Sequence, residues 1–370
     1  MNILILNWRD PKNPKSGGAE YVTNEHAKSW IKKGNNIIWF CSRFKGSKKT
    51  EIVDGIKFIR KGNSFSVYLI APFFYLLNRK KIDFIIDEIH GLPFFTPLYS
   101  KKPRVAFIHE IAGKIWDSMY SFPINLLGKL LERLYFKIYK NDFFWTDAES
   151  TIDELVKHGI KEKKCTAIPC PVRNKTLENL STKEKVPTFI FVSRVVKMKG
   201  IEEVIKAFFY IIKEVKNAQL WIVGDGDKNY IKYLKITMNR YSIPAKVKFW
   251  GQVSEEKKLE LMRKSHLLLH ASVKEGWGLV VIEAASQSTP SIVYDVSGLR
   301  DSVINGKTGI VLKNNTPREM ANEAIKLLKS KTRYLNFQKE SLSWSKSLKW
   351  ENVTNQSFTL LSRIYKTKTL

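Results

Sequence analysis

The chain has 370 residues, of which 44% are hydrophobic, and its 63 lysines and arginines against 35 aspartates and glutamates give a formal net charge of +28. This length predicts two or three domains, and the longest apolar run, Val67 to Leu77, is too short to span a membrane. Three cysteines without a C-x-x-C pair argue against a disulfide or zinc framework. The N-terminal MNILILNW does not resemble a signal peptide, so we expect a cytoplasmic protein. The charge favours an anionic partner, such as nucleic acid, anionic lipid or a phosphorylated substrate.

The first half of the chain alternates strands and helices. A strand at Ile3–Leu6 is followed by a polar loop and by Gly17 and Gly18, which open a helix and let a ligand approach the backbone closely. The G-x-G-x-x-G pattern of a dinucleotide-binding fold is missing here. A later strand, Val105–Ile108, ends at His109, where ligands bind in open parallel sheets. We therefore predict that His109 takes part in chemistry or binds a sugar hydroxyl, the alternative being a local hydrogen bond.

Residues 124–140 predict an amphipathic helix with leucines on one face. Such a helix either lies on an anionic membrane surface or packs on the core with a solvated basic face. Its basic residues are Lys129, Arg133, Lys137 and Lys140.

A polar segment, Asn174 to Val186, predicts a linker before a second series of strands and helices. The strand Thr188–Val192 leads into a loop that contains Arg194 and Lys199. Two cations at the carboxyl end of a strand suit a pyrophosphate, although basic loop residues are also often merely solvated.

The stretch from Ala271 to Pro290 predicts a ligand site built from a strand, a glycine-rich turn and a helix that starts at Leu279. Its backbone N–H groups and helix dipole would hold an anion or a polyhydroxyl ligand. Glu275 in the turn and Glu283 in the helix are predicted to face the same point and to accept hydrogen bonds from sugar hydroxyls. The alternative is a capping carboxylate and a solvated glutamate.

Taken together and in order, these motifs resemble the retaining glycosyltransferases of family 4, which have the GT-B fold. The residues that carry the resemblance are Gly17-Gly18-Ala19-Glu20, Arg194 with Lys199-Gly200, Val223-Gly224-Asp225-Gly226, Phe249-Trp250-Gly251, the EGWGLVVIEA run from Glu275, and Ser297 to Leu312. The resemblance implies an α/β protein with two Rossmann-like βαβ domains facing each other across a donor/acceptor cleft. We place an acceptor domain at 1–174, a nucleotide-sugar domain at 175–346, and a C-terminal helix at 347–370 that crosses back to the first domain.

The resemblance also implies a role for each motif. Arg194 and Lys199 would bind the donor diphosphate, Glu283 the donor ribose, and Glu275 the donor sugar near the reacting carbon. His109 would reach the transferred sugar, and Gly17 and Gly18 would line the cleft. No metal or cofactor is expected, because protein cations would replace the metal and a nucleotide-diphosphate sugar would be the donor. Backbone N–H groups would hold sugar hydroxyls and phosphate at Gly276, Trp277, Gly278, Leu279 and Val280.

The expected reaction is transfer of a hexosyl group to a glycan, a lipid-linked sugar or a glycolipid, with the protein peripheral on the cytoplasmic membrane face. Three alternatives stay open: a sugar phosphorylase of similar fold, a basic nucleic-acid- or membrane-binding module, and a silent sugar-nucleotide binder. Nucleic acid is not expected as a partner, because no groove-reading motif is present. The sequence departs from the family pattern at Val280, where proline is common, and at Cys170-Pro171 in the interdomain segment.

Overall fold

The computed structural model describes residues 1–113, 115–119 and 121–369. The chain forms two compact units. The first comprises Met1–Cys170 together with the chain from Trp350 onward, and the second is Pro171–Lys349. The sequence boundaries, after residues 174 and 346, lie a few positions from these junctions.

The predicted linker belongs to the second unit. Although residues 174–186 have no regular secondary structure, the Leu177 amide donates to the Ser286 carbonyl at 3.0 Å and the Glu184 amide donates to the Lys264 carbonyl at 2.9 Å. The segment is polar because it runs over a surface, and these amides tie it to the unit that it covers. Composition alone therefore led to a wrong assignment of this segment as a linker.

The first unit alternates strands with helices, and its last helix comes from the C-terminus. Its elements are β1 (Asn2–Leu6), α1 (Gly18–Lys32), β2 (Asn36–Cys41), β3 (Thr50–Val53), β4 (Ile56–Arg60), α2 (Ser66–Asn78), β5 (Phe84–Ile89), β6 (Arg104–Ile108), α3 (Ile115–Met119), α4 (Ile124–Ile138), β7 (Phe143–Thr146), α5 (Glu149–Lys157), β8 (Cys165–Ala167) and α12 (Trp350–Thr369). The sheet order is β3-β4-β2-β1-β5-β6-β7-β8. All neighbours are parallel except β3, which forms an antiparallel edge on β4.

The second unit repeats this architecture with a fully parallel sheet. Its elements are β9 (Thr188–Val192), α6 (Ile201–Glu214), β10 (Gln219–Val223), α7 (Lys228–Arg240), β11 (Val247–Gly251), α8 (Glu255–Lys264), β12 (Leu267–His270), α9 (Leu279–Ser286), β13 (Ser291–Val293), β14 (Gly309–Val311), α10 (Pro317–Lys329) and α11 (Lys331–Ser347). The strands follow the order β11-β10-β9-β12-β13-β14.

The central strands of both sheets are buried along their whole length. Every residue of β5, β9 and β12 is buried, as expected for parallel strands covered by helices on both faces. β9 and β12 are apolar along most of their length, and this is why they were found from sequence, whereas β5 carries Asp87 and Glu88 near its end. Both units are therefore Rossmann-like, with ligand positions expected beyond the carboxyl ends of their strands.

The C-terminal helix is anchored on the first unit by buried polar contacts. Ser357 lies on α12, and its hydroxyl is 2.8 Å from His26 Nδ1 and accepts a hydrogen bond from Trp30 Nε1 at 3.1 Å. Trp350, at the start of α12, packs edge-on against Tyr21 of α1. These contacts bring the end of the chain onto α1.

Candidate active site

In the second unit, two strand-to-helix loops are joined by backbone contacts. β9 and β12 are neighbouring parallel strands, so the loops that follow them emerge side by side. The Val273 amide donates to the Met198 carbonyl at 2.9 Å. A Cβ at Gly200 would lie 1.9 Å from the Ala271 carbonyl oxygen, and the residue has φ +72°, so only glycine allows the loops to approach this closely.

This contact brings Lys199 against Glu275. Lys199 Nζ lies 2.7 Å from Glu275 Oε1, and His270 Nε2 lies 3.0 Å from the same oxygen. The two charged side chains are 15% and 14% exposed. Burial alone would raise the pKa of Glu275, but Lys199 and His270 overcome this effect and hold it well below its ordinary value. The pair is therefore a fixed, ionised cation–anion unit at the carboxyl end of the sheet.

The glycine-rich turn has the geometry that its sequence predicts. Gly278 caps α9 in the left-handed region at φ +80°. A Cβ at Gly298 would lie 2.0 Å from the Glu275 carbonyl oxygen, so this second glycine lets another loop support the turn. Trp277 is buried, while Gly276, Leu279 and Val280 are half-buried. A second loop thus supports the turn, and the first residues of α9 are partly exposed to solvent.

Glu283, one turn into α9, has its own cation. Its Oε2 lies 2.8 Å from Lys258 Nζ on α8, and the residue is 8% exposed. Burial raises the pKa of Glu283 above its usual value despite the opposing effect of Lys258. The two predicted carboxylates therefore lie in different electrostatic surroundings, which their similar sequence context did not reveal.

Arg194 lies at the start of the loop that ends in Lys199, and its side chain is exposed. The loop turns sharply there, because the Val196 amide donates to the Arg194 carbonyl at 2.9 Å, and it is tied to the neighbouring loop by the Val195 amide, which donates to the Asp225 carbonyl at 2.8 Å. A Cβ at Gly224 would lie 1.9 Å from the Ser193 carbonyl oxygen, so the neighbouring loop presses against this start. Arg194 and Lys199 thus lie on one loop, which the neighbouring loop supports. Arg194 is exposed to solvent, whereas Lys199 is paired with Glu275.

In the first unit, Gly17 and Gly18 begin α1 as predicted. The Gly17 amide donates to Glu20 Oε2 at 2.7 Å, and the other Glu20 oxygen receives Arg9 Nε at 2.9 Å. Burial opposes the charge of Glu20, but His90 and Arg9 lower the pKa of this carboxyl below its usual value. A Cβ at Gly17 would meet only Glu20, at 3.9 Å, so the fold itself does not require glycine there.

His109 follows β6 and is buried. Its Nδ1 lies 2.5 Å from Asp147 Oδ2, and its Nε2 has no hydrogen-bond partner among the described residues. Burial alone would lower the pKa of His109, but Asp147, Glu88 and Glu20 together raise it to about 9. The imidazole is therefore held by one ring nitrogen and leaves the other for a ligand.

Two family models match consecutive parts of the chain. The model described as "Glycosyltransferase Family 4" matches residues 16–175, and the one described as "Glycosyl transferases group 1" matches residues 172–344. The chain is a family 4-like glycosyltransferase of the GT-B fold. This result confirms the family, the fold class and the enzyme class predicted from sequence.

Individual relatives agree with this assignment. N-acetyl-alpha-D-glucosaminyl L-malate synthase of Bacillus anthracis is 26% identical over 345 residues, which cover 87% of each chain. Sucrose-phosphate synthase of Thermosynechococcus elongatus has a similar structure, with a TM-score of 0.78, 16% identity and 99% coverage of both chains. HepE of Anabaena, solved with UDP and glucose, gives a TM-score of 0.73 at 17% identity and covers 98% of this chain and 100% of its own.

Sequence reasoning missed the residues that hold the site residues of the glycosyltransferase in place. Each missed residue lies near the end of a strand or on a neighbouring helix, and two of them, Asp147 and Lys258, have partners that are distant in sequence. Strand ends could have suggested Glu88, His90 and His270, whereas nothing in the sequence pairs Asp147 with His109 or Lys258 with Glu283. The missed residues are Glu88, His90, Asp147, Lys258 and His270.

The basic amphipathic helix of the glycosyltransferase is α4, but its leucines do not face the core. Leu127, Leu130 and Leu134 are 54%, 51% and 45% exposed, while Tyr135 and Phe136 pack inward. The helix does pack on the core with a largely exposed basic face, as one alternative predicted, but the contact is made through Tyr135 and Phe136 and not through the leucines. Lys129 pairs with Asp117 at 2.5 Å, and the other three predicted basic residues are exposed. Within the residues that the structure describes, no helix combines the length and apolarity needed to cross a membrane.

Proposed function

We propose that this glycosyltransferase moves a hexosyl group, with retention of configuration and without a metal, from a nucleotide-diphosphate sugar to a glycan, a lipid-linked sugar or a glycolipid. The observation that carries the proposal is the Lys199–Glu275 pair at 2.7 Å beside the turn that opens α9. A half-buried cation next to backbone N–H groups suits a diphosphate, and a neighbouring carboxylate suits sugar hydroxyls. HepE, which has the same fold, was solved in complex with UDP and glucose.

The chemical barrier is departure of the nucleoside diphosphate from the anomeric carbon, and Lys199 and Arg194 act on the charge that develops there. Lys199 has three N–H donors, of which Glu275 occupies one, so the ammonium keeps donors for phosphate oxygens. Arg194 is exposed, and its planar guanidinium donates two parallel hydrogen bonds to phosphate oxygens. Because Glu275 already fixes the lysine, little reorganisation is needed when charge develops.

Glu283 binds the donor ribose in this proposal. Its carboxyl oxygens accept hydrogen bonds from vicinal hydroxyls, and Lys258 Nζ orients the group at 2.8 Å. In the first unit, His109 donates from Nε2 to a hydroxyl of the transferred sugar, because Asp147 already holds Nδ1. Gly17 has open space in front of it, apart from Glu20 at 3.9 Å, and with Gly18 it is proposed to line the site of the same ligand.

A thermal-shift panel tests the donor class. UDP, GDP, ADP and their sugar conjugates are added to wild type, to Glu283→Gln and to Glu255→Gln, which changes the other carboxylate partner of Lys258. A ligand at 100 times its Kd adds about 2.7 kcal/mol of stability. We expect one nucleotide family to stabilise wild type and Glu255→Gln, and to stabilise Glu283→Gln much less.

Turnover assays with the stabilising donor separate the competing functions. Transfer with retained anomeric configuration, followed by NMR, supports the proposal, and inverted product contradicts its stereochemistry. Turnover that depends on free phosphate instead identifies a sugar phosphorylase. Nucleotide binding without transfer to any glycan or lipid-linked acceptor leaves a sugar-nucleotide binder.

An acceptor at an anionic membrane surface is supported by two helices of the first unit. On α2 and the residue before it, Phe65, Leu69, Phe73 and Leu77 follow each other at four-residue spacing and are 84%, 73%, 69% and 84% exposed. No aspartate or glutamate occurs between residues 55 and 82, and three exposed basic residues, 79–81, follow the helix. Exposed apolar rows flanked by cations suit the interface of an anionic bilayer.

Vesicle sedimentation tests this surface. We expect wild type to bind phosphatidylglycerol vesicles, to bind phosphatidylcholine vesicles poorly, and to lose binding at least about tenfold with Leu69→Asp. The control is Ile236→Asp, which places the same charge on an exposed isoleucine of the second unit. Equal loss with both variants would mean that net charge alone drives binding and would remove α2 from the proposal.

A further inference from the structure

Three potential metal ligands meet at the ends of two neighbouring strands of the first unit. Glu88 lies near the end of β5, His90 follows this strand, and His109 follows β6. β5 and β6 are parallel and paired, with Ile89 opposite Ile108, so the residues beyond these positions converge. One ligand atom from each of the three side chains lies within 4.8 Å of the other two. We call these three residues the histidine cluster.

The histidine cluster contains buried polar atoms that the chain does not satisfy. Glu88 is fully buried and His109 is 8% exposed. Glu88 Oε1 and His109 Nε2 have no hydrogen-bond partner in the described part of the chain. Burying such an atom without a partner costs about 1–3 kcal/mol of folding free energy. Two of them in one cluster therefore indicate that a ligand binds there. A metal ion that displaces the Nε2 proton to solvent accepts a lone pair from each of the two atoms.

The remaining atoms of the cluster are held in the way that metal ligands are held. Asp147 Oδ2 lies 2.5 Å from His109 Nδ1, the carboxylate–imidazole arrangement that orients a ligating histidine. Asn7 donates to Glu88 Oε2, which also lies 3.2 Å from His90 Nε2. The His90 and His109 rings are stacked with centroids 5.4 Å apart.

We propose that Glu88, His90 and His109 form an inhibitory binding site for a first-row transition metal ion, Zn²⁺ above all. Two imidazoles and one carboxylate are a donor set that suits zinc and cobalt, whereas magnesium and calcium favour oxygen ligands alone. A tetrahedral ion places its ligands roughly 3.3 Å apart, so the ligand atoms, which lie within 4.8 Å of one another, approach each other by at most about 1.5 Å around it. Water completes the coordination.

The inhibitory part of this inference rests on the proposed function. His109 Nε2 is the atom that we assign to a hydroxyl of the transferred sugar, and a metal ion bound to it excludes that hydrogen bond. The ion is thus an inhibitor and takes no part in the reaction, so chelators should leave turnover unchanged or raise it.

Metal binding is tested on the full-length, tag-free protein, without reference to activity. Co²⁺ is titrated while the visible d–d absorption of tetrahedral cobalt is followed, and Zn²⁺ is titrated by calorimetry. We expect one equivalent to bind. His90→Ala and Glu88→Gln should each weaken binding at least about a hundredfold, and Asp147→Asn should weaken it about tenfold to a hundredfold, since it only orients His109.

The matched control is His158→Ala, which removes a histidine at the end of α5 and should leave affinity within about threefold of wild type. Absence of tetrahedral cobalt absorption in wild type overturns the site, as does an equal loss in His158→Ala and His90→Ala. If Zn²⁺ binds through the cluster but does not reduce turnover, the site stands and its inhibitory role is overturned. If the protein turns over no donor at all, the proposed function fails while the binding result is unaffected.

Discussion

The lysine–glutamate pair of the second unit and the histidine cluster of the first unit both lie at the carboxyl ends of parallel strands, yet they differ in how their charges are compensated. Glu275 is held by Lys199 and by His270 on one oxygen. Glu88 is buried more deeply, and one of its oxygens has no partner among the described residues. The charge of Glu275 is thus compensated by the protein itself, whereas the hydrogen bonding of Glu88 is left incomplete.

This difference indicates two ways in which a site can be prepared. A compensated ion pair is rigid and presents a cation whose remaining donors are already directed, which favours stabilisation of a developing charge. An incomplete buried cluster costs folding free energy, which a ligand recovers on binding. We therefore expect changes at the pair to reduce rate and stability, and changes at the cluster to affect binding more than stability.

The largest expected effect is on the rate. Arg194→Ala and Lys199→Ala should each lower kcat at least about a hundredfold, because one contact to developing charge is commonly worth about 2.7–4 kcal/mol. Lys197→Ala, an exposed lysine of the same loop, is the control and should stay within about threefold of wild type. A near-normal kcat for Arg194→Ala would remove that residue from the diphosphate site.

The next effect concerns the stability of the pair itself. Glu275→Gln leaves Lys199, which is 15% exposed, without its counterion, and should lower the free energy of unfolding by about 2 kcal/mol. Denaturant titration followed by tryptophan fluorescence measures this change. An unchanged midpoint would show that solvent, and not Glu275, compensates the lysine.

A pH dependence of similar size should come from His26, a buried histidine of the first unit that has no oppositely charged partner among the described residues. Burial, and to a lesser degree the charge of His109, lower the pKa of His26 to about 3. Its folded pKa lies below the unfolded value of about 6.5, so stability is present above pH 6.5 and is lost as the pH falls towards 3. From pH 7 to pH 5, wild type should lose about 2 kcal/mol relative to His26→Gln. Denaturant titrations of both proteins at the two pH values measure the difference, and parallel losses would contradict it.

The smallest expected effect is at the histidine cluster. Glu88→Gln keeps an oxygen for Asn7 and replaces a carboxylate oxygen that has no partner, so the free energy of unfolding should stay within about 1 kcal/mol of wild type. The same substitution at Glu275 is its matched comparison. Equal losses for the two variants, measured in the same titration, would remove the distinction between a compensated and an incomplete site.

Much of the fold was predictable because it depends on local patterns. Buried parallel strands such as Thr188–Val192 are continuous apolar runs, and the start of α9 follows from Gly278 in the left-handed region. The β3–β4 hairpin was missed because β3 is a short edge strand with alternating exposure and little apolar signal. The exposure of the α4 leucines also could not be predicted from the sequence, because periodicity identifies an apolar face but does not show what packs against it.

The candidate site was predictable in part for the same reason. Residues at strand ends, such as Lys199, Glu275 and His109, could be named because their position depends on the local strand-to-helix pattern. The partners Lys258 and Asp147 could not, because they are brought in by helix packing and sheet order.

By itself the sequence determined the family, the two-fold repeat of strands and helices, and the loops that carry the chemistry, since each depends on residues that are close along the chain. Only the tertiary structure decided which charged side chains pair with each other. It pairs Lys199 with Glu275 across 76 positions and joins His109 to Asp147 across 38. The energy of a charged group depends on burial and on neighbours within a few ångströms, and folding sets both.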